Sequence, residues 1–456
     1  MADRRVLVVG GGITGLTVAY GLAAAGGHHV TLREAGHRLG GKIHTSPFAG
    51  LDAVDEGADA FLARTPSAID LAGRLGLAHR LTSPTAATAA VWHDGLHPIP
   101  EGLLLGVPAS VLPMARSGLL SVRGKLRAAL EPLLPRTDIS ADAIGPLVRA
   151  RFGSEVHDRL VDALVGSIYA ADTDRFSLGS VPQLDALARR HRSLLLGARR
   201  TRRLAAATPA GPIFAAPLGG VGALVTALTR AIEGYGVTVS TMSPVANVEA
   251  DGGRWRVDDE TFDHVVLASP ARATAPLLTS AAPEAARLLS ASEHASVILV
   301  TLAVPGHTWP DRLRGRSGYL VPKPVQRTVT AASFGSQKWA HWRPDDGSEV
   351  LRVSLGRDGL DVDHLDDHAV LAAVVGEVGH HLGLDLQPTS SRITRWPAAF
   401  PQYRPHHADR VRAVEAALPA GLHVVGASYY GIGVPACIAG AEKLVGQLTL
   451  DRRGAR

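Results

Sequence analysis

Cysteine is almost absent: Cys437 is the only one in 456 residues. An intrachain disulfide is excluded, and so is a zinc or iron–sulfur site built on cysteines. Lysine is scarce, since only five of the 47 basic residues are Lys and the rest are Arg. A genome favouring Arg, Ala and Gly codons gives this skew; a net charge of +5 also suits an anionic substrate or an anionic membrane surface. Aromatic residues make up 5% of the chain. The densest basic cluster, Arg189 to Arg203, has no aromatic side chains interleaved for base stacking, which argues against nucleic acid as a partner. Long apolar runs are missing too. The longest, Gly102 to Ala115, is interrupted by Pro108 and Pro113 and falls short of the ~20 residues of a spanning helix. The first ten residues run directly into a strand pattern with no leader-like segment, so a cytoplasmic protein is expected. What is plentiful is apolar surface, at 46% of residues against 20% charged, enough for two or three domains with a sizeable core.

Val6 to Gly10 reads as a buried strand, Gly15 to Ala25 as a helix and His29 to Glu34 as a second strand, which is a βαβ unit. From Pro98 to about Ala207, Leu, Ala and Arg recur at helical spacing, which predicts a helical insertion. Gly219 to Leu228 predicts a glycine turn feeding a helix. Gly236 to Val248 and Trp255 to Val257 read as strands, and His264 to Pro270 as a buried strand ending in a turn. Val297 to Val304, Val329 to Phe334 and Glu349 to Leu355 predict a second sheet. His423 to Ala427 is expected as a last strand and Cys437 to Leu448 as a last helix.

Gly10-Gly11-Gly12-Ile13-Thr14-Gly15 lies between the first strand and the first helix. Its G-x-G-x-x-G spacing has a physical purpose at each glycine. Gly10 allows the tight turn, Gly12 lets the backbone approach a diphosphate, and Gly15 lets the helix pack close to the sheet. Glu34 ends the second strand 19 residues beyond Gly15, where a carboxylate can accept the hydroxyls of a ribose. The pattern predicts a dinucleotide site. A second glycine pair, Gly40-Gly41, follows between Arg38 and Lys42, and these basic side chains suggest a further approach to phosphate.

This extended N-terminal run, with Asp55-Glu56-Gly57-Ala58-Asp59 beyond it, resembles the glutathione-reductase-type FAD fold of the amine oxidase, phytoene desaturase and porphyrinogen oxidase superfamily. Val425-Gly426-Ala427 and Gly431-Ile432-Gly433-Val434-Pro435 look like its C-terminal flavin motif. Several stretches resemble one branch, the oxygen-dependent coproporphyrinogen III and protoporphyrinogen IX oxidases of the soluble bacterial type. They are Leu39-Gly-Gly-Lys-Ile43, Gly166-Ser-Ile-Tyr169-Ala-Ala-Asp172, Gly219-Gly-Val-Gly222 and Arg395-Trp396 through Pro401-Gln-Tyr403. The resemblance implies an α/β fold in three parts. An FAD-binding domain is expected over 1–80, 208–275 and 405–456, a mixed-sheet substrate domain over 81–96 and 276–404, and the helical insertion over 97–207. It implies non-covalent FAD lined by Gly10, Gly11, Gly12, Ile13, Thr14, Gly15, Glu34, Ala35, Gly41, Lys42, Gly57, Ala58, Asp59, Val245, Trp396, Ile432, Gly433 and Val434, with Ile168 against the macrocycle.

The activity so implied is oxidation of coproporphyrinogen III to coproporphyrin III with O2 as acceptor and H2O2 released, in haem biosynthesis. Protoporphyrinogen IX is the alternative substrate, and a carotenoid desaturase or amine oxidase the more distant alternative. Hand-over of product to a downstream haem-synthesis enzyme and weak association with a membrane surface belong to the same expectation. The flavin carries the hydride, so no general base is expected. Two positions depart from the pattern. Ala427 stands where many superfamily members have an acid, and Pro100-Glu-Gly-Leu lacks the Arg that follows this turn in the mitochondrial type.

Outside the motifs the expectations are plainer. His364 and His368 are spaced like metal ligands but fit a capped surface helix, and no metal is expected. His93 and His97 flank an Asp94-Gly95 hairpin turn. His406-His407 reads as surface loop, and Cys437 as a small buried residue.

Overall fold

The computed structural model describes residues 3–205 and 211–454. The expected boundary at 207/208, where the insertion ends, lies outside the described residues. One sheet has the strand order Thr238–Ser240, His28–Arg33, Arg4–Val9, His264–Leu267, Leu422–Val424, with every neighbouring pair parallel. A parallel sheet has to be covered on both faces, and Val6 to Val9 are accordingly buried on both. Helices Ile13–Ala25, Gly222–Gly234 and Val434–Gly454 cover one face through Leu16, Leu224 and Ile438.

The meander Glu249–Asp251, Arg254–Val257, Glu260–Phe262 and helices Ala271–Leu277, Pro283–Ser290 and His407–Ala416 cover the other face. Pro283–Ser290 packs here through Ala285, Ala286 and Leu289, although the sequence reading put residues from 276 onward with the second sheet.

Only Thr238–Ser240 of the expected strand 236–248 joins the sheet. The chain then turns, and the Met242 and Ser243 N–H groups donate to the carbonyls of Gly36 and Glu34 (2.9 Å each). Its hydrogen bonds thus go to the loop after the second strand instead of to the sheet. The last helix begins at Val434, three residues earlier than expected, with Pro435 in its first turn, where the missing N–H costs nothing.

The second sheet has seven strands in the order Ser390–Pro401, His294–Val304, Glu349–Leu355, Val329–Phe334, Arg316–Leu320, Thr88–Trp92, Leu96–Pro98. It is antiparallel except where Thr88–Trp92 runs parallel to Arg316–Leu320. Its back packs on helix Asp367–Leu382 through Val300, Leu302 and Val353 against Val370, Val374 and Val378. On the front, Arg392, Thr394 and Trp396 alternate along one strand. This face meets the hairpin Thr45–Phe48/Leu51–Asp55: Arg392 donates to Ser46 Oγ (2.7 Å) and Val54 O (3.1 Å), and Thr394 to Glu56 Oε2 (3.0 Å).

The insertion has a core of its own, built from Ile144, Leu147, Phe152, Leu160, Phe176, Leu184 and Leu195. Within it, His157–Gly166 is a ten-residue π-helix, a form that is rare at this length. The short turn Ser167–Tyr169 follows and ends at Ala170, which has φ +47°.

Helix Asp367–Leu382 starts between His364 and His368, with Asp366 accepting the Ala369 N–H (2.8 Å), so the two His side chains do not share a helical face. His93 and His97 flank the expected hairpin turn, Asp94 at φ +55° and Gly95 at φ +147°. Among the described residues there is no group of three or more potential metal ligands, and no helix long and apolar enough to cross a membrane.

Candidate functional site

The carboxyl end of Arg4–Val9 opens into the glycine loop. Gly10 has φ +107°, and a Cβ there would stand 3.2 Å from the Ala268 carbonyl on the neighbouring strand. A Cβ on Gly15 would stand 1.9 Å from Gly10 O, so helix and loop touch through bare backbone. Gly12 differs: a Cβ would meet nothing within 4 Å. Gly12 is also the N-cap of Ile13–Ala25 and offers no side-chain cap. The first-turn N–H groups at Ile13, Thr14 and Gly15 have no backbone acceptor among the described residues at the positive end of the helix, next to the clear space beside Gly12, and this is the arrangement a diphosphate satisfies.

The second glycine pair packs on the first. Gly40 N–H donates to Gly11 O (2.8 Å), and a Cβ on Gly41 (φ +55°) would lie 3.2 Å from Gly12 Cα. Arg38, expected to reach for phosphate, instead donates to the carbonyls of Leu39 (3.2 Å), Gly41 (2.8 Å) and Ile43 (3.1 Å), and so holds the shape of this loop.

Glu34 accepts the N–H of Gly11 on Oε2 and that of Gly36 on Oε1, both at 2.7 Å. The carboxylate thus fixes the loop and keeps a further lone pair on each oxygen for a ribose hydroxyl. Ala35 beside it is exposed, and Val245 comes alongside through the Ser243–Glu34 bond, half-buried against the second face of the sheet.

Lys42 is open to solvent yet walled by protein on most sides. Loss of hydration lowers its pKa, and the charge of Arg272 adds to this. His294 is lowered by burial and then by Lys42 and Arg272, and its buried Nε2 has no hydrogen-bond partner. Lys42, Arg272 and His294, from three separate elements, thus lie close enough to feel one another's charge. Lys42 is marked by its motif, whereas Arg272 and His294 stand in no motif.

A Cβ on Gly57 would lie 2.1 Å from Lys42 O and 3.5 Å from the Trp396 ring. The Trp396 indole N–H donates to Glu56 O (2.8 Å), and Ala58 is half-buried on the first core. Trp396, Gly57 and Lys42 therefore sit together. The Asp59 carboxylate is committed elsewhere, to Lys338 Nζ (2.8 Å) and the Trp339 indole N–H (3.3 Å), with Arg352 at 3.9 Å. Burial alone would raise its pKa; Lys338 and Arg352 outweigh that and hold it well below the usual carboxylate range.

The far wall is the turn Ala427–Gly431 and the last helix. Gly426 has φ +120°, and a Cβ there would stand 3.5 Å from Thr14 Oγ1, so this turn lies against the start of the first helix. Gly433 O accepts the Cys437 N–H (3.0 Å), and Val434 is buried on the first core. Two helix N-termini therefore converge on one groove. Ile432 is half-buried on the core of the insertion with Ile99, Leu103 and Tyr169, so the groove continues into an apolar wall. Ile168, next to Tyr169, is 51% exposed.

His407 corrects the expectation of surface loop. It opens helix His407–Ala416, stacks on Tyr403 with ring centroids 4.0 Å apart, and burial lowers its pKa to about 4. Cys437 is buried near Lys42 and Thr14, and burial raises its pKa.

The groove has the parts a flavin dinucleotide needs: an uncapped helix N-terminus for the diphosphate, a carboxylate for the ribose and a second helix N-terminus at the far end. Residues 13–444 match the family model for flavin containing amine oxidoreductase. The chain is 34% identical over 469 residues to the coproporphyrinogen III oxidase of Mycobacterium tuberculosis (strain ATCC 25618 / H37Rv), covering all of both chains. It is 32% identical over 459 residues to the coproporphyrinogen III oxidase of Bacillus subtilis (strain 168), covering 95% of this chain and 96% of that one. A solved structure from Exiguobacterium sp. 255-15, provisionally described as a protoporphyrinogen oxidase, superposes with a TM-score of 0.86 at 30% identity, covering 99% of this chain and 100% of that chain.

Proposed function

The chain belongs to the family of flavin-containing amine oxidoreductases, in its porphyrinogen-oxidase branch, and from that premise we propose that it oxidises coproporphyrinogen III to coproporphyrin III in the cytoplasm, using O2. It is an FAD-dependent oxidoreductase. Bound non-covalently, FAD would supply the hydride acceptor and the route of the electrons to O2.

The protein's own residues do the rest. The N–H groups of Ile13, Thr14 and Gly15 bind the diphosphate beside Gly12, and Glu34 takes the ribose. Lys42 and Arg272 add positive potential there, and this potential together with burial favours the neutral form of His294. Trp396 and the Ile432–Val434 turn orient the ring system, the latter through the positive end of the last helix. No side chain here is assigned as a general base, since positioning is what this chemistry asks of the protein.

The observation that carries the reading is the meeting of the groove with the apolar wall at Ile432. Ile99, Leu103, Ile168 and Tyr169 offer apolar surface for a macrocycle, directly beyond the second helix N-terminus. Arg202 supports the choice of a substrate rich in carboxylates. Its Nη1 stands 2.7 Å from where a Gly102 Cβ would be, so an exposed guanidinium fills the side of the Pro100–Gly102 turn that lacks an Arg of its own. A charge-assisted bond of this kind contributes about 1.5–3 kcal/mol. The test is direct: the purified yellow protein is given coproporphyrinogen III and protoporphyrinogen IX, and porphyrin fluorescence is followed. Faster turnover of the second substrate would move the assignment to protoporphyrinogen IX. The product then passes to a later enzyme of haem synthesis.

A further inference from the structure

The front strand Ser390–Pro401 of the second sheet ends in two buried neighbours, Gln402 and Tyr403, that grip different turns. Gln402 donates its side-chain N–H groups toward Ala170 O (3.3 Å), Phe400 O (3.1 Å) and Tyr169 O (3.5 Å), while its backbone N–H is held by Glu293 O (2.8 Å). Tyr169 and Ala170 close the turn that carries Ile168. Tyr403 reaches the other way and donates its hydroxyl to Ala427 O, at the start of the turn that delivers the last helix.

The Tyr403 ring is itself clamped. It stacks with Phe176 (5.7 Å, 28°) and with His407 (4.0 Å, 18°), and Phe176 packs on Tyr169 (4.8 Å). His407 Nε2 lies 3.1 Å from Tyr429 O; since a carbonyl only accepts, this nitrogen carries the proton. The path Tyr169–Phe176–Tyr403–Gln402–Tyr169 is therefore closed, and the Tyr403 hydroxyl joins it to the turn at Ala427. Ala427 offers no side-chain polar group, so the geometry of the flavin-facing turn depends on what grips its backbone.

We propose that Gln402 and Tyr403 are positioning residues that set the distance between the turn bearing Ile168 and the turn Ala427–Gly431. Adjacent Cα atoms are a fixed 3.8 Å apart, so one dipeptide ties the substrate side to the cofactor side. Transfer of a hydride is steeply sensitive to such spacing, and a 1 Å error costs on the order of 100-fold. The substrate half rests on the function proposed above; the cofactor half does not.

Tyr403→Phe keeps the ring stack and removes the hydroxyl, and Gln402→Met keeps the volume and removes the amide. Tyr403→Phe is expected to weaken FAD binding about tenfold, to shift the visible flavin spectrum, and to slow anaerobic flavin reduction tenfold or more with KM within twofold. Gln402→Met is expected to leave FAD affinity and spectrum unchanged while raising KM severalfold. His407→Phe, which keeps the stack and drops the bond to Tyr429, gives a weaker form of the Tyr403→Phe spectral change, and Gln402→Leu serves if Gln402→Met does not fold. FAD affinity, spectrum and reduction rate all within twofold of wild type in Tyr403→Phe would overturn the proposal. So would equal loss of FAD in both variants, which marks a general loosening. If the wild-type protein oxidises no porphyrinogen, the functional reading fails, and the FAD measurements still decide the role of Tyr403.

Discussion

Arg357 grips Asp162 with two bonds of 2.8 Å, across the joint between the second sheet and the insertion. Both side chains are almost wholly buried, and Arg357 also donates to Ala171 O, at the end of the turn that carries Ile168. Burial would raise the pKa of Asp162, but Arg357 and Thr173 hold it below the ordinary value. Removing one partner strands a buried charge at a cost of about 3–5 kcal/mol. Arg357→Leu should therefore lower the melting temperature sharply, and adding Asp162→Asn, which removes the stranded charge and keeps an acceptor for Thr173, should recover much of the loss. Because the folded pKa of Asp162 is depressed, its contribution is present above the unfolded pKa and is lost as pH falls through the folded one. Denaturant titration of wild type and both variants from neutral to acid pH checks this.

Asp55 has the opposite sign. Burial raises its pKa to about 6, although Thr45 Oγ1 and the Val221 N–H (3.0 Å) both donate to Oδ1. Oδ2 is buried with no hydrogen-bond partner. Between about pH 4 and 6 the folded state keeps a proton that the unfolded chain has released, so stability falls as pH rises through this window. Above it the charged group costs up to about 3 kcal/mol. Asp55→Asn keeps an acceptor for both donors and should be more stable than wild type by ~1–3 kcal/mol at pH 8, with the advantage gone near pH 4. A variant no more stable at pH 8 would show that the ionised form is well accommodated.

Gly12 and Gly15 should separate binding from folding. Gly12 has φ −72° and open space at its Cβ position, so Gly12→Val should leave the apoprotein folded and weaken FAD by at least ~100-fold through collision with the diphosphate. Gly15→Val meets backbone at once and should fail to fold. Circular dichroism with a flavin titration distinguishes the two.

Helix Val122–Ala129 of the insertion exposes Val122 and Leu126, and Leu130 and Leu133 continue the stripe just beyond it. Exposed Arg123 sits beside them. An apolar stripe edged with cations binds weakly to the interface of an anionic bilayer. Co-sedimentation with vesicles containing anionic lipid should appear at low salt, vanish at ~0.5 M salt as screening sets in, and be lost in Leu126→Asp. Binding to neutral vesicles at high salt would contradict it.

The glycine loop was legible because its information is local: Gly15 meets the Gly10 carbonyl within the same six residues, Gly10 meets the end of the neighbouring strand at Ala268, and Gly12 leaves clear space. Val329–Phe334 and Glu349–Leu355 were legible from their apolar pattern, which the sheet buries as read. What the sequence hid depends on partners far along the chain. The His407 ring is buried by Tyr403, and Arg38 and Asp59 are ordinary charged residues until the carbonyls and Lys338 that hold them are in place. Arg272 and His294 become part of the groove only when the parallel sheet and the second sheet meet. The missing length of the strand after Thr238 has the same origin, since Met242 and Ser243 find their acceptors two hundred residues back.

The central claim is that this groove and its apolar wall serve a porphyrinogen with four propionates. Steady-state oxygen uptake with matched coproporphyrinogen III and protoporphyrinogen IX tests it most directly. The expected result is a higher kcat/KM for coproporphyrinogen III, roughly three O2 consumed per porphyrin formed, as three two-electron oxidations require, and a rise in KM for the tetra-acid in Arg202→Ala. Equal or faster turnover of protoporphyrinogen IX, with KM for coproporphyrinogen III unmoved by Arg202→Ala, would contradict it.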